Sequence, residues 1–234
     1  MIPANAGVSV VIPALNEEEP IGDVVRAVLG TGVPREVIVV DNGSTDRTAE
    51  RARNSGARVV SAPRGYGRAC AAGVAAVSDE CDLIVFLDGD GSDVPRFIPA
   101  LVEPITSGTQ DFVIGSRTRG KREPGSMNPQ QVFAGHLAGF LIRILYGVRY
   151  TDMSPFRAIR RDSFAQLGMR EETYGWNLEM QMKAARAGLR ILEVPVDHRR
   201  RKGGESKVSG TLRGTFVASF RILATFLKIA FFGT

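Results

Sequence analysis

Two carboxylates, Asp88 and Asp90, stand two residues apart with Gly89 between them, directly after an apolar run at 81–87. At a strand end, that spacing lets both reach one divalent cation. Magnesium or manganese takes hard oxygen ligands and keeps positions open for phosphate oxygens. Taken alone, the same residues also read as a solvated acidic turn. An EF-hand is excluded, because Asp93 and Pro99 stand where that loop needs Gly and Glu. A second apolar run ends at Asp41, followed by Asn42-Gly43-Ser44-Thr45. Ser44 or Thr45 suits a helix cap, and Asp41 suits hydrogen bonding to a nucleoside. Residues 199–207 form a basic segment whose Gly203 and Gly204 let it close over an anion such as a diphosphate. Glu179, in Trp176-Asn177-Leu178-Glu179, is the candidate general base. His136 and His198 are the only histidines and lie far apart, so both read as structural.

These residues need elements to carry them. Residues 8–13 and 36–40 are short, nearly continuous apolar runs rich in β-branched side chains, the pattern of strands buried on both faces. Residues 57–61 and 81–87 read as further strands, with helices at 16–29, 46–55 and 65–77 between them. Strands alternating with helices predict βαβ units and a mostly parallel sheet. Such sheets bind ligands outside the carboxyl ends of their strands, so Asn16, Asp41 and Asp88 should meet at one crevice. The second half predicts strands at 111–116 and 189–196 and helices at 131–146, 162–167 and 176–187, with a loop over 117–130.

Composition narrows the function class. The 234 residues are 44% hydrophobic and 24% charged, ordinary for a globular domain and unlike a disordered or polytopic membrane chain. Two cysteines make no disulfide scaffold and fit a reducing compartment. The N-terminus has no basic residue and no apolar h-region, so no signal peptide is expected. No Walker A sequence is present, and Arg64-Gly65-Tyr66-Gly67-Arg68 is only a weak dinucleotide pattern. Charge is segregated. Residues 1–115 carry 16 acidic and 9 basic side chains, residues 116–234 carry 9 and 21, and 25 of the 30 basic residues are Arg. A basic half can face nucleic acid, an anionic membrane or a phosphorylated substrate. Nucleic acid is not expected, because basic residues interleaved with aromatics are not evident. Residues 212–232 are strongly apolar but contain Arg213, Arg221 and Lys228, which fall within about 80° of each other at helical spacing. That predicts an amphipathic helix at a membrane interface or against a partner, with a helix packed on the domain as the alternative.

The ordered motifs VSVVIPALNEEE, VIVVDNGSTDRT, RGYGRACAAG, FLDGDGSDVP, FVIGSR, DMSPFRAIRR, YGWNLEM and HRRRKGGESKVSG resemble the GT-A glycosyltransferases of family 2. Within them, the chain is most similar to the dolichyl- or polyprenyl-phosphate mannose and glucose synthases, over about residues 8–210. The resemblance implies an α/β, Rossmann-like GT-A domain over 1–210, with the amphipathic helix at 211–234. It also implies roles. Pro13, Ala14, Asn16, Glu17 and Asp41 would hold base and ribose, and Gly65 and Gly67 would sit beside the nucleotide. Asp88 and Asp90 would bind Mg²⁺ or Mn²⁺, with Ser92 where related synthases often carry Gln. Arg201 and Lys207 would grip the donor diphosphate, and Arg117 would meet the acceptor phosphate. The Arg and Ser that related mannose synthases place on the following helix are replaced here by the stretch Asn128 to His136.

The expected reaction is metal-dependent, inverting transfer from a nucleotide-diphosphate sugar to a polyprenyl or dolichyl phosphate. The expected setting is the cytoplasmic face of a membrane, with the 211–234 helix meeting lipid or a second subunit. One alternative is transfer to a hydroxyl-bearing lipid or soluble acceptor with Glu179 as base. The other is a catalytically silent nucleotide- or nucleic-acid-binding module.

Overall fold

The structure is a computed structural model that describes residues 6–202 and 226–230. Seven strands form one sheet in the order β3-β2-β1-β4-β6-β5-β7. The first half is as the apolar runs predict. Strands β1 (Gly7–Ala14), β2 (Glu36–Asp41), β3 (Arg58–Ser61) and β4 (Cys81–Phe86) pair in parallel. They alternate with helices α1 (Ile21–Leu29), α2 (Thr48–Asn54) and α3 (Tyr66–Ala75). Successive residues of each strand feed opposite faces. Val11, Ile38, Val40, Ile84 and Phe86 join one core. Val10, Ile12, Val37, Val39, Leu83 and Val85 join the other. Two buried faces explain why these strands read as continuous apolar runs rather than alternating ones.

Beyond β4 the structure departs from the sequence reading in two places. Helix α4 (Ile98–Thr106) has no counterpart there. It carries Pro99 in its first turn and Pro104 inside it, and packs Ile98, Leu101 and Ile105 into the second core. Strand β6 (Arg157–Arg160) also escaped. It inserts antiparallel between β4 and β5 (Phe112–Ser116). Its first residue, Arg157, is fully buried. That guanidinium donates to the carbonyls of Ser154 and Asn177 and lies 5.8 Å from the centre of the Phe112 ring. Burial pulls it down to about 10. The chain continues through α5 (Pro129–Tyr146), α6 (Arg161–Leu167) and α7 (Trp176–Arg186) to β7 (Ile191–Pro195), parallel to β5.

Of the 211–234 segment, only residues 226–230 are described, as a helical turn. Phe226 and Ile229 are buried in the same core as Ala138 and Ile142 of α5, while Leu227 and Lys228 are exposed. The described part of this segment therefore packs on the domain through one face. Arg213, Arg221 and the expected boundary at 210 lie outside the described residues. No described helix is long and apolar enough to cross a membrane.

Candidate active site

The strand order reverses between β1 and β4: the chain leaves β1 for β2 on one side and returns to β4 on the other. A crevice opens at such a switch point. All parallel strands end on this edge, so the residues after β1, β2, β4, β5 and β7 converge. The resulting cleft has a volume of about 970 Å³.

The two loops after β1 and β2 are built as one unit. Asn16 takes a left-handed conformation with φ of 53°, which Asn tolerates better than most residues. Its N–H donates to Ser44 Oγ at 3.0 Å, and its Oδ1 accepts from the Thr45 N–H at 2.8 Å. The Glu17 N–H donates to Thr48 Oγ1 at 2.8 Å. Pro13, Ala14, Asn16 and Glu17 all line the cleft. Asp41 does not. Its carboxylate caps the turn by accepting from the Ser44 N–H at 3.1 Å. The neighbouring Asn42 lines the cleft instead and accepts from the Gly65 N–H at 3.0 Å.

Gly65 lines the cleft, but Gly67 has another reason to be glycine. A Cβ there would overlap the backbone carbonyl of Glu171. The 171–174 segment lies across the start of α3, joined by an Arg68 N–H bond to the Glu172 carbonyl at 3.1 Å. That placement brings Thr173 and Tyr174 to the cleft wall.

Asp88, Asp90 and Ser92 sit together at the floor. The Asp88 carboxylate accepts from the Tyr66 hydroxyl at 3.0 Å. Burial, then the negative charges of Asp90 and Asp93, push it well above the usual carboxylate range. Ser92 Oγ donates to Asp90 Oδ1 at 2.6 Å, so its hydroxyl steadies that carboxylate. The segment after β7 runs alongside: the Arg199 N–H donates to the Ser92 carbonyl and the Lys202 N–H to the Asp90 carbonyl. This brings His198 to the cleft. His198 Nδ1 and Asp93 Oδ1 lie 3.7 Å apart, both buried and without a hydrogen-bond partner among the described residues. No three Asp, Glu, His or Cys side chains among the described residues form a ready-made metal cage. A cluster of crowded carboxylates beside an orphaned imidazole nitrogen still fits a cation that completes its shell with ligand oxygens.

Four arginines line the cleft: Arg64, Arg117, Arg200 and Arg201. Arg201 crosses the mouth to pair with Glu17 Oε1 at 2.7 Å. Arg117 makes a two-pronged pair with Asp152, with Nε and Nη2 each 2.8 Å from a carboxylate oxygen. Burial works against its charge, but Asp152, Asp93 and Asp88 outweigh that and hold it firmly protonated. Asp152 is itself buried, and its carboxyl is kept below the ordinary range because Arg117 outweighs burial.

Glu179 is not at the cleft. Its oxygens accept the N–H groups of Arg170 at 3.0 Å and Glu171 at 2.7 Å, and pair with Lys183 at 2.9 Å. It ties down the segment that leads to Thr173 and Tyr174, so the expectation of a catalytic base is corrected. Lys207 lies outside the described residues. Sequence reasoning missed Tyr66, Asn42, His198 and Arg200. The glycines flanking Tyr66, and the position of His198 directly before the basic run, were the available signals.

The motif order now has its geometry, and comparison with known proteins agrees with it. Residues 9–168 match Glycosyl transferase family 2. The chain belongs to this family. It is 37% identical to an uncharacterised glycosyltransferase of Mycobacterium tuberculosis, over 92% of this chain and 95% of that protein. It is 33% identical to the undecaprenyl-phosphate mannosyltransferase of Micrococcus luteus, over 89% of this chain and 90% of that one. Among solved structures it resembles the glucosyl-3-phosphoglycerate synthase of M. tuberculosis, crystallised with Mn²⁺, UDP-glucose and phosphoglyceric acid. That match has a TM-score of 0.76 at 29% identity, covering 96% of this chain and 80% of that one. The chain is thus a family 2 glycosyltransferase with the mostly parallel α/β fold of its relatives.

Proposed function

We propose that this glycosyltransferase moves a sugar from a nucleotide-diphosphate sugar to the phosphate of a polyprenyl phosphate, with inversion. One observation carries the acceptor assignment: among the described residues, no cleft carboxylate is left over to act as a base. The described acidic residues of the cleft are Glu17, Asp88 and Asp90. Glu17 pairs with Arg201, the aspartates belong to the candidate metal centre, and Glu179 is bound elsewhere. A hydroxyl nucleophile needs its proton removed. A phosphate oxygen is already an anion and needs only to be held, and Arg117 is fixed and charged for that purpose.

The donor would lie along the 13–17 loop and Asn42, with its diphosphate facing Arg201. The acceptor oxygen attacks the anomeric carbon from the opposite side as the bond to the diphosphate breaks, and the electron pair leaves on the diphosphate. Asp88 and Asp90, with His198 beside them, would hold Mg²⁺ or Mn²⁺, which neutralises charge on the leaving group when bound. Arg201, still held by Glu17 Oε1, shares that charge through its other N–H groups. The undecaprenyl-phosphate mannosyltransferase and a Haloferax volcanii dolichyl-phosphate hexose transferase among the relatives support this acceptor class.

A second reading, transfer to a small phosphorylated acceptor, is favoured by the likeness to the phosphoglycerate enzyme. Nucleotide release from UDP- and GDP-sugars, with and without metal, in the presence of either acceptor, separates the two. Release stimulated by polyprenyl phosphate and dependent on metal is expected. Stimulation by phosphoglycerate alone would establish the second reading.

A further inference from the structure

Helix α5 is apolar on two opposite sides. Gly135, Ala138, Gly139 and Ile142 are buried against the domain. A Cβ at Gly139 would overlap the Tyr150 carbonyl, so the helix is seated closely. On the far side, about 180° around the helix axis, stand Phe133, Leu137, Phe140 and Ile144. They are 68%, 45%, 58% and 65% exposed. Their spacing of four, three and four residues makes one straight stripe about 16 Å long. Of the eight large apolar side chains exposed among the described residues, five belong to this helix, Leu145 being the fifth. A surface helix ordinarily turns its second face polar, and a contiguous apolar patch in its place marks an interaction surface.

Charge identifies the occupant. No carboxylate occurs from residue 124 to 151, whereas Arg143 and Arg149 fall within that span and are exposed. Leu227 and Lys228, also exposed, repeat the combination of apolar and cationic side chains. A second copy packed stripe to stripe would find no acidic residue from 124 to 151 to answer these arginines. An anionic head-group layer answers them directly. The first turn of the same helix belongs to the cleft, through Asn128 and Gln131.

We propose that the outward face of α5 docks the enzyme on an anionic phospholipid surface, with Phe133, Leu137, Phe140 and Ile144 entering the acyl boundary. Arg143 and Arg149 meet the head groups, and the Asn128 end of the cleft opens at the lipid surface. The lipid contact expected of the 211–234 segment is thereby extended to α5. Its purpose rests on the lipid-acceptor reading, but the docking itself is tested separately.

The test is flotation of the full chain with vesicles of phosphatidylglycerol and phosphatidylcholine, or of phosphatidylcholine alone. Wild type should float with the anionic vesicles. Phe133→Ser/Phe140→Ser should lower partitioning about tenfold or more, and Arg143→Glu/Arg149→Glu should abolish the preference for anionic lipid. Both variants should keep the wild-type melting temperature and the wild-type rate on a water-soluble short-chain polyprenyl phosphate. Wild type that stays unbound, or a Phe133→Ser/Phe140→Ser variant that floats equally well, overturns the proposal. So does a lipid-free dimer that this variant converts to monomer, since the stripe would then be a subunit interface. Flotation without turnover of any polyprenyl phosphate would remove the acceptor assignment and leave the docking intact. Turnover of the short-chain acceptor without flotation would do the reverse.

Discussion

At the residue scale, the site is organised by charges that cannot all be satisfied without a ligand. Asp88 is the clearest case. Burial and two neighbouring carboxylates raise its folded pKa above the value in the unfolded chain. Stability from its protonated form is therefore full at low pH and is lost as pH rises toward the folded pKa. In metal-free protein near neutral pH, Asp88→Asn should raise the melting temperature by about 2 °C or more. The gain should vanish on acidification, and transfer should be lost. A melting series from pH 4 to 8 checks this; a variant less stable at every pH would contradict it. Added Mn²⁺ should stabilise wild type, and more at higher pH because binding must displace a proton. Glu179 gives the opposite test. Glu179→Gln should lower stability by about 1–3 kcal/mol through weakened backbone bonds, while folded enzyme keeps a rate within about threefold of wild type. Loss of a general base would cost about a hundredfold or more. Urea unfolding beside initial rates distinguishes the two. The sequence showed the right chemical types here but not every role. Asp88 and Asp90 stand out by local spacing, whereas Asp41 and Glu179 are consumed by backbone N–H groups that only the folded chain brings near.

At the element scale, the first half was legible because each strand is a continuous apolar run and each ends in a polar loop. Strand β6 was not, because Arg157 to Arg160 is four residues long and begins with a buried arginine whose partners are carbonyls. Helix α4 was obscured by its two prolines. The 171–174 segment was also invisible, since its contact with α3 joins residues about a hundred positions apart. That contact makes a sharp prediction. Gly67→Ala places a methyl against the Glu171 carbonyl, a backbone atom with little room to yield. It should cost about 1–3 kcal/mol and raise the donor KM by displacing Thr173 and Tyr174. A melting temperature and donor KM equal to wild type would show that the segment moves freely.

At the scale of the whole molecule, charge segregation was the feature most visible in the sequence and least specific. The structure sends some of the basic half to the cleft, as Arg117, Arg200 and Arg201, and some to the margin of an apolar helix face, as Arg143 and Arg149, which composition alone cannot separate. The central claim is that the cleft holds an acceptor that is already an anion. The measurement that tests it most directly compares sugar transfer to a short polyprenyl phosphate with transfer to the matching polyprenol, for wild type and Arg117→Lys, at saturating donor and metal. We predict transfer to the phosphate and none to the alcohol. The lysine variant should lose about a hundredfold in kcat/KM for the phosphate, because it cannot keep the two-pronged contact with Asp152, with donor hydrolysis little changed. Transfer to the alcohol at a comparable rate, or an unaffected lysine variant, would contradict the account.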